Sequence, residues 1–226
     1  MHWKDSVYLL SKNQFNENSV IAEVFTKNYG KISAIIFGAT SKKIKNYLQL
    51  GNKLHLNFNS KNDSKLGNIN VEIEEALTPL FFDNKQKLSC IVSAMNLVKL
   101  LTVESQENIN IYNLINNLFL LLKKIDWLKD FVFWELQLLK LIGYDLELKN
   151  IVEVVIVNGQ KHYFVKKNKE KKFIPNFLIE TESNKIDNKS IMNGLKLVGD
   201  YLDKSILKPN NIPFPVTRID FVKIIK

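Results

Sequence analysis

Residues Ser19–Phe37 read SVIAEVFTKNYGKISAIIF. Two runs rich in Val, Ile and Phe, Ser19–Thr26 and Lys31–Phe37, flank Asn28-Tyr29-Gly30. An Asn and a Gly around one residue between two β-type runs signal a hairpin. On the N-terminal side, Ser6–Leu10 is a further strand-like run. On the C-terminal side, Lys53–Asn59 alternates strictly, with Leu54, Leu56 and Phe58 pointing one way and Lys53, His55, Asn57 and Asn59 the other. That is a strand with one wet face. Asn62-Asp63-Ser64-Lys65 with Gly67 reads as a loop, after which Ile69–Ile73 alternates again through Val71. Five strands before Pro79, with no long helix among them, predict a small closed barrel or a sandwich.

Five is the strand number of an oligonucleotide-binding (OB) barrel. Beyond Pro79 the period becomes helical. Leu88–Leu101, Ile111–Ile125 and Leu128–Ile142 carry apolar residues at helix spacing, as amphipathic helices of a bundle do. Gly143 suits the C-terminal cap of the third. Val152–Val157 and His162–Val165 read as a short hairpin turned at Asn158-Gly159, followed by a basic loop, Lys166–Lys172. Ser190–Ile206 and Val216–Ile225 read as closing helices, separated by a stretch from Pro209 to Pro215 whose prolines stop a helix.

The chain has 226 residues and a formal charge of +9. Its basic residues are 31 Lys and one Arg, Arg218, beside 27 Asn and only 5 Ala. This profile is that of an AT-rich genome, so a single lysine carries little information, but the net excess is not balanced by acids. Residues 1–78 hold 10 Lys against 7 acids, and residues 79–150 hold 8 against 8. Residues 151–226 hold 14 basic residues against 8 acids. A basic surplus on both flanks of a neutral middle favours a polyanionic partner, nucleic acid first. The one cysteine, Cys90, excludes an internal disulfide and a cysteine-based zinc site, and fits a reducing compartment. No HxxxH or HxH pair, no signal-peptide pattern and no apolar run of membrane-spanning length occurs, so a soluble cytoplasmic chain is expected.

Several constellations point to phosphate. Lys42, Lys43 and Lys45 lie in the polar connector Gly38–Tyr47, at the rim of the barrel face, with Tyr47 in place to stack on a base. Lys31 beside Tyr29 repeats that pairing at the hairpin. Lys166, Lys167, Lys169, Lys171 and Lys172 form a possible second basic patch, although such a run is commonly a solvated loop. Trp127, Phe131, Phe133 and Trp134 form a stripe at helical spacing that reads first as core and second as a groove for an apolar tail. Glu72 and Glu74 share a strand face, and such a pair holds Mg²⁺ in some sites, but no third acid, base or nucleophile completes one. No phosphate-binding, dinucleotide or nucleophile-elbow motif occurs, and no enzyme is expected.

The text resembles the RecO family of bacterial recombination-repair proteins over nearly its whole length. Glu17-Asn18-Ser19 is similar to the family's turn into its second strand, and Phe25-Thr26-Lys27-Asn28-Tyr29-Gly30-Lys31 to its hairpin. Gly38-Ala39 opens a connector like the family's basic one, and Leu48-Gln49-Leu50-Gly51-Asn52 is like its "LQPG" segment, with Leu50 in place of Pro. Trp134-Glu135-Leu136, Leu138-Leu139 and Leu141-Ile142-Gly143-Tyr144 resemble its "WEL-x-LL-x-x-LGY" helix. Gly199 with Tyr201-Leu202, and Pro215 to Arg218, resemble its last two helices. The resemblance implies an α+β chain: an N-terminal five-stranded OB-fold barrel over 1–78, then an α-helical domain with a small β-hairpin insertion over 79–226. Within the latter, a bundle is expected over 84–143, the hairpin segment over 151–178 and closing helices over 190–225.

The resemblance further implies binding of single- and double-stranded DNA, annealing of complementary strands, and partnership with RecR in loading RecA onto strands coated with single-strand-binding protein (SSB). It implies contact with the SSB C-terminal tail, no nucleotide cofactor, no membrane, and a cytoplasmic location at the nucleoid during repair. It raises Lys31 and Lys42–Lys45 as phosphate contacts. Two departures stand out. Many relatives carry a four-cysteine zinc motif after the "LGY" helix; here that segment, from Ile151, has no cysteine, and no zinc is expected. Arginine is scarce, and lysine neutralises phosphate without the bidentate fork, so strongly salt-dependent, sequence-blind binding is expected. Two rivals are an adaptor whose barrel is only scaffold, and a metal-dependent nuclease.

Overall fold

A computed structural model of the chain describes residues 1–60, 67–157, 159–167, 170–180 and 186–226, without the side chains of Lys166, Lys167 and Glu170. The expected loop Asn62–Lys65, with Asn158 and Lys169, lies outside the described residues. In chain order the elements are β1 (His2–Asn16), β2 (Ser19–Thr26), β3 (Gly30–Phe37), α1 (Lys42–Tyr47), β4 (Lys53–Asn59), β5 (Gly67–Glu75), α2 (Lys85–Leu101), α3 (Ile109–Leu121) and α4 (Trp127–Leu141). Then follow α5 (Leu148–Ile151), β6 (Glu153–Val157), β7 (Gln160–Lys167), β8 (Glu170–Ile174), α6 (Asn188–Leu202) and α7 (Val216–Ile225).

The first five strands close into a barrel of order β1-β2-β3-β5-β4, the expected OB-like arrangement. The alternation read at Lys53–Asn59 is realised: Leu54, Leu56 and Phe58 enter the barrel core beside Val7, Val24 and Ile36. Closure runs through a short parallel pairing of Ala34 with Gly67 and Ile35 with Asn68. Gly67 is required there, because a Cβ would stand 2.3 Å from the Phe58 ring. β1 is far longer than the Ser6–Leu10 read from sequence. Register shifts at Leu9/Ser11 and Gln14/Asn16 mark bulges that bend it, so it serves β4 with one half and β2 with the other.

Contacts divide the chain into two compact units, Met1–Leu122 with Pro215–Ile225, and Lys123–Phe214 with Lys226. The expected boundary near residue 78 separates strand from helix, but the first unit also takes in α2, α3 and α7. The reason lies on β1, where Tyr8 is fully buried on the side away from the barrel core. Its hydroxyl donates to Asn116 Oδ1 at 2.9 Å, and its ring lies 5.0 Å from that of Tyr112 on α3.

In the second unit α4 buries Trp127, Phe131 and Trp134, so this part of the aromatic stripe is core. Phe133 is partly exposed and meets Phe177 edge-on at 5.8 Å. The expected hairpin and basic loop are instead a three-stranded antiparallel sheet, β6-β7-β8. Lys166 and Lys167 continue β7, and Lys171 and Lys172 lie on β8, because Lys166 pairs with Lys171 and Val165 with Lys172. Tyr163 and Ile174 bury one face of this sheet, and the Tyr163 hydroxyl donates to Glu180 at 2.8 Å. α6 ends at Leu202, short of the expected Ile206, and gives way to a π-type turn, Asp203–Leu207. No helix among the described residues is long and apolar enough to cross a membrane.

Candidate nucleic-acid interface

The connector Gly38–Tyr47, expected as a polar loop, carries the short helix α1. The Ser41 hydroxyl caps it by accepting from the Ile44 amide. Ile44 and Tyr47 pack against the barrel core, which turns Lys42, Lys43 and Lys45 out to solvent. Both ends are tied down. Upstream, Ala39 N donates to Asn18 O at 3.2 Å and the Thr40 hydroxyl to Asn18 Oδ1 at 2.6 Å. Downstream, Asn52 is fully buried: its amide nitrogen donates to Tyr47 O at 3.1 Å, while its Oδ1 accepts from Thr78 N at 3.1 Å. Among the described residues, none of the three α1 lysines pairs with a carboxylate.

Beside α1 lies a cavity of 330 Å³, lined by Lys12, Gln14, Val20, Ala39, Thr40, Lys45 and Leu48. Lys12 Nζ donates to Leu48 O at 2.5 Å. Burial, and then the neighbouring Lys45 charge, hold its ammonium below the ordinary lysine pKa. Two cations lining one cavity gain from an anion between them. The same rim carries two large exposed rings, Phe15 at 51% and Phe37 at 61%. Phe37 pairs with Ser19, and Ser19 with Asn16, so both rings sit where β1 and β3 reach one end of the barrel. Uncommitted cations beside exposed aromatic faces are what a single strand requires, for phosphate and base respectively.

Lys31 and Tyr29 are not part of this rim. They stand at the other end of β3 from Phe37, about 20 Å away at ~3.3 Å per residue. Lys31 is 9% exposed, and its Nζ donates to Lys99 O at 2.7 Å and Thr102 O at 2.6 Å. Burial lowers its pKa, opposed by Glu23 and Glu104. The structure places Lys31, expected as a phosphate contact, as a tie whose ammonium is already bonded to two carbonyls within the fold. Gly30 makes that tie possible, with φ of +69° and a backbone so close that a Cβ would stand 2.0 Å from Gln106 O. The Tyr29 ring stacks on Trp3 at 4.0 Å, and Trp3 on Phe58 at 4.8 Å. Tyr47 is half-buried against the core rather than presented to a base.

The remaining candidates are mixed. On β8, Lys171 is exposed, and Lys172 is paired with Asp200 at 2.5 Å. Burial alone would raise Glu74, but hydrogen bonds from Ser6 and Lys53 outweigh it and hold the carboxylate below its usual range. Lys53 bridges Glu74 at 2.9 Å and Glu75 at 3.0 Å, so these acids are already neutralised by a cation. Among the described residues no group of three His, Cys, Asp or Glu side chains is placed to hold a metal. The β6–β8 segment does not fit a zinc site of the four-cysteine kind, since it contains no cysteine and Cys90 is buried on α2.

The family model described as "Recombination protein O N terminal" matches residues 1–76, and "Recombination protein O C terminal" matches residues 84–211. The chain belongs to the RecO family. Two similar RecO proteins show how the likeness is spread. The "DNA repair protein RecO" of Rickettsia canadensis is 34% identical over 148 residues, 66% of this chain and 61% of that one. The one from Caulobacter vibrioides is 23% identical over 232 residues, 97% of this chain and 95% of that one. Within this RecO chain, sequence reading missed Phe15, Phe37 and Lys12. Phe37 was legible as a large apolar residue at the strand end before Gly38. Phe15 and Lys12 were not, because the bulges in β1 carry them beyond any simple alternation.

Proposed function

We propose that this RecO-family chain is a DNA-binding protein of recombinational repair that holds single strands across the barrel rim. Lys42, Lys43 and Lys45 neutralise phosphates, while Phe15 and Phe37 offer faces to bases. The observation that carries this is the convergence, at one end of the barrel, of two exposed aromatics with three exposed lysines that meet no carboxylate among the described residues, while Lys12, Lys31, Lys53 and Lys99 are committed to carbonyls or carboxylates. Lysine contacts bind strands without regard to sequence and screen their mutual repulsion, so that complementary strands pair. This needs no catalytic group.

Duplex DNA is a second ligand of the same cations. RecR and the SSB tail are the protein partners of this reading, with RecA loading its outcome. The test is annealing of complementary strands precoated with SSB, with and without RecR, by the chain and by a Lys42→Glu, Lys43→Glu, Lys45→Glu variant. The chain accelerates annealing and the variant does not. Annealing and low-salt DNA affinity unchanged in the variant would reassign the barrel to scaffold and the chain to an adaptor.

A further inference from the structure

The sheet β6-β7-β8 ends on β6, and among the described residues no strand pairs with its outer edge. β6 is open on both faces as well. Val154 is 53% and Ile156 68% exposed on the face shared with Tyr163, and Val155 and Val157 are open on the face shared with His162. That second face continues into Phe164 and Phe173, which meet edge-on at 5.9 Å. Proteins ordinarily protect such an edge with lysine, proline, a bulge or an inward charge. Val154–Val157 has none of these, being four β-branched aliphatic residues in unbroken register with β7.

We propose that β6 pairs antiparallel with β6 of a second copy of this chain, about a twofold axis at Val155, to make a six-stranded sheet. Charge placement selects this occupant and register. Val155 then meets Val155, Val154 meets Ile156, and Glu153 meets Val157, so aliphatic faces continue across the join. The two Glu153 residues lie four positions apart, about 13 Å at ~3.3 Å per residue, beyond the ~8 Å Debye length. A parallel, in-register arrangement would instead set Glu153 against Glu153, which is destabilising. Lys171 and Lys172 lie on β8, two strands from the join, about 10 Å at ~4.8 Å per strand, and Lys161 on β7 stands beside Ile156, one strand from the join and off the Val155 axis. The inference stands on the sheet alone; joined to the reading above, it supplies two barrels, one for each strand being annealed.

A five-residue join is small, so the dimer is concentration-dependent. Sedimentation of the full chain from about 1 to 100 µM, a range in which weak interfaces dissociate, reads this directly. The chain shifts from monomer to dimer, and Val155→Lys, which sets two ammonium groups against each other, raises the dissociation constant about tenfold or more. An oxidative cross-linking pair fixes the register. Val155→Cys links to its own copy, since directly opposed residues lie about 4.5–5.5 Å apart between Cα atoms. Val157→Cys does not, since it faces Glu153, and the buried Cys90 does not compete. A wild-type chain monomeric throughout, self-association unmoved by Val155→Lys, or Val157→Cys linking as readily as Val155→Cys would each overturn the proposal.

Discussion

The two ends of β3 carry lysines that look alike in sequence and behave as opposites. At its start, Lys31 is drawn inward and donates to two carbonyls of the 99–102 segment, with Glu23 and Glu104 near enough to favour its charge. Past its end, Lys42, Lys43 and Lys45 stand on a short helix that spends its apolar residues, Ile44 and Tyr47, on the barrel and leaves its ammonium groups in water. A lysine count therefore says little about a phosphate-binding surface. What matters is whether each ammonium has been claimed by a carbonyl or carboxylate of the fold. Lys99 with Glu23, and Lys53 with Glu74 and Glu75, are claimed in the same sense as Lys31.

Reversing the α1 charges separates the two ends most sharply. Lys42→Glu, Lys43→Glu, Lys45→Glu lowers low-salt affinity for single strands about a hundredfold and flattens the log–log salt dependence by about 2, given ~0.7 per lost phosphate contact on single strands. A titration of oligonucleotide binding against salt reads both. Next in size, Phe37→Ala weakens binding about tenfold, toward the lower end of the ~1–3 kcal/mol that one stacked base contributes, without changing the salt slope. A Phe37 variant that altered the slope instead would show the ring acting through the lysines.

The smallest effect on DNA comes from the buried end. Lys31→Met leaves affinity within about twofold, yet destabilises the fold by ~1–3 kcal/mol, because two carbonyls lose their donor. Urea unfolding beside the binding titration separates the two readouts. Lost affinity with unchanged stability would return Lys31 to the DNA face.

Much of this arrangement was legible in the residues. The Asn28–Gly30 hairpin and the alternation of Leu54, Leu56 and Phe58 announce a barrel, because side-chain period and turn chemistry are local properties. Val216–Ile225 likewise stands as read. Less legible was anything set by distant contacts. That Lys31 is buried depends on carbonyls 68 and 71 residues away, which no local pattern announces. The Lys166–Lys172 run reads as a solvated loop because its charge hides a β8 strand held by pairing with β7. Phe15 escapes because two bulges in β1 reset the alternation that would have assigned its face.

Which end of the barrel touches DNA is measured directly by a photo-cross-linking residue placed in turn at positions 37 and 29. Both positions are open to solvent, and an aromatic photo-reactive residue at position 29 keeps a ring to stack on Trp3. Irradiation with a single-stranded oligonucleotide should link DNA to position 37 and leave position 29 unlinked. Linkage at position 29 with none at position 37 would place DNA at the buried-lysine end instead.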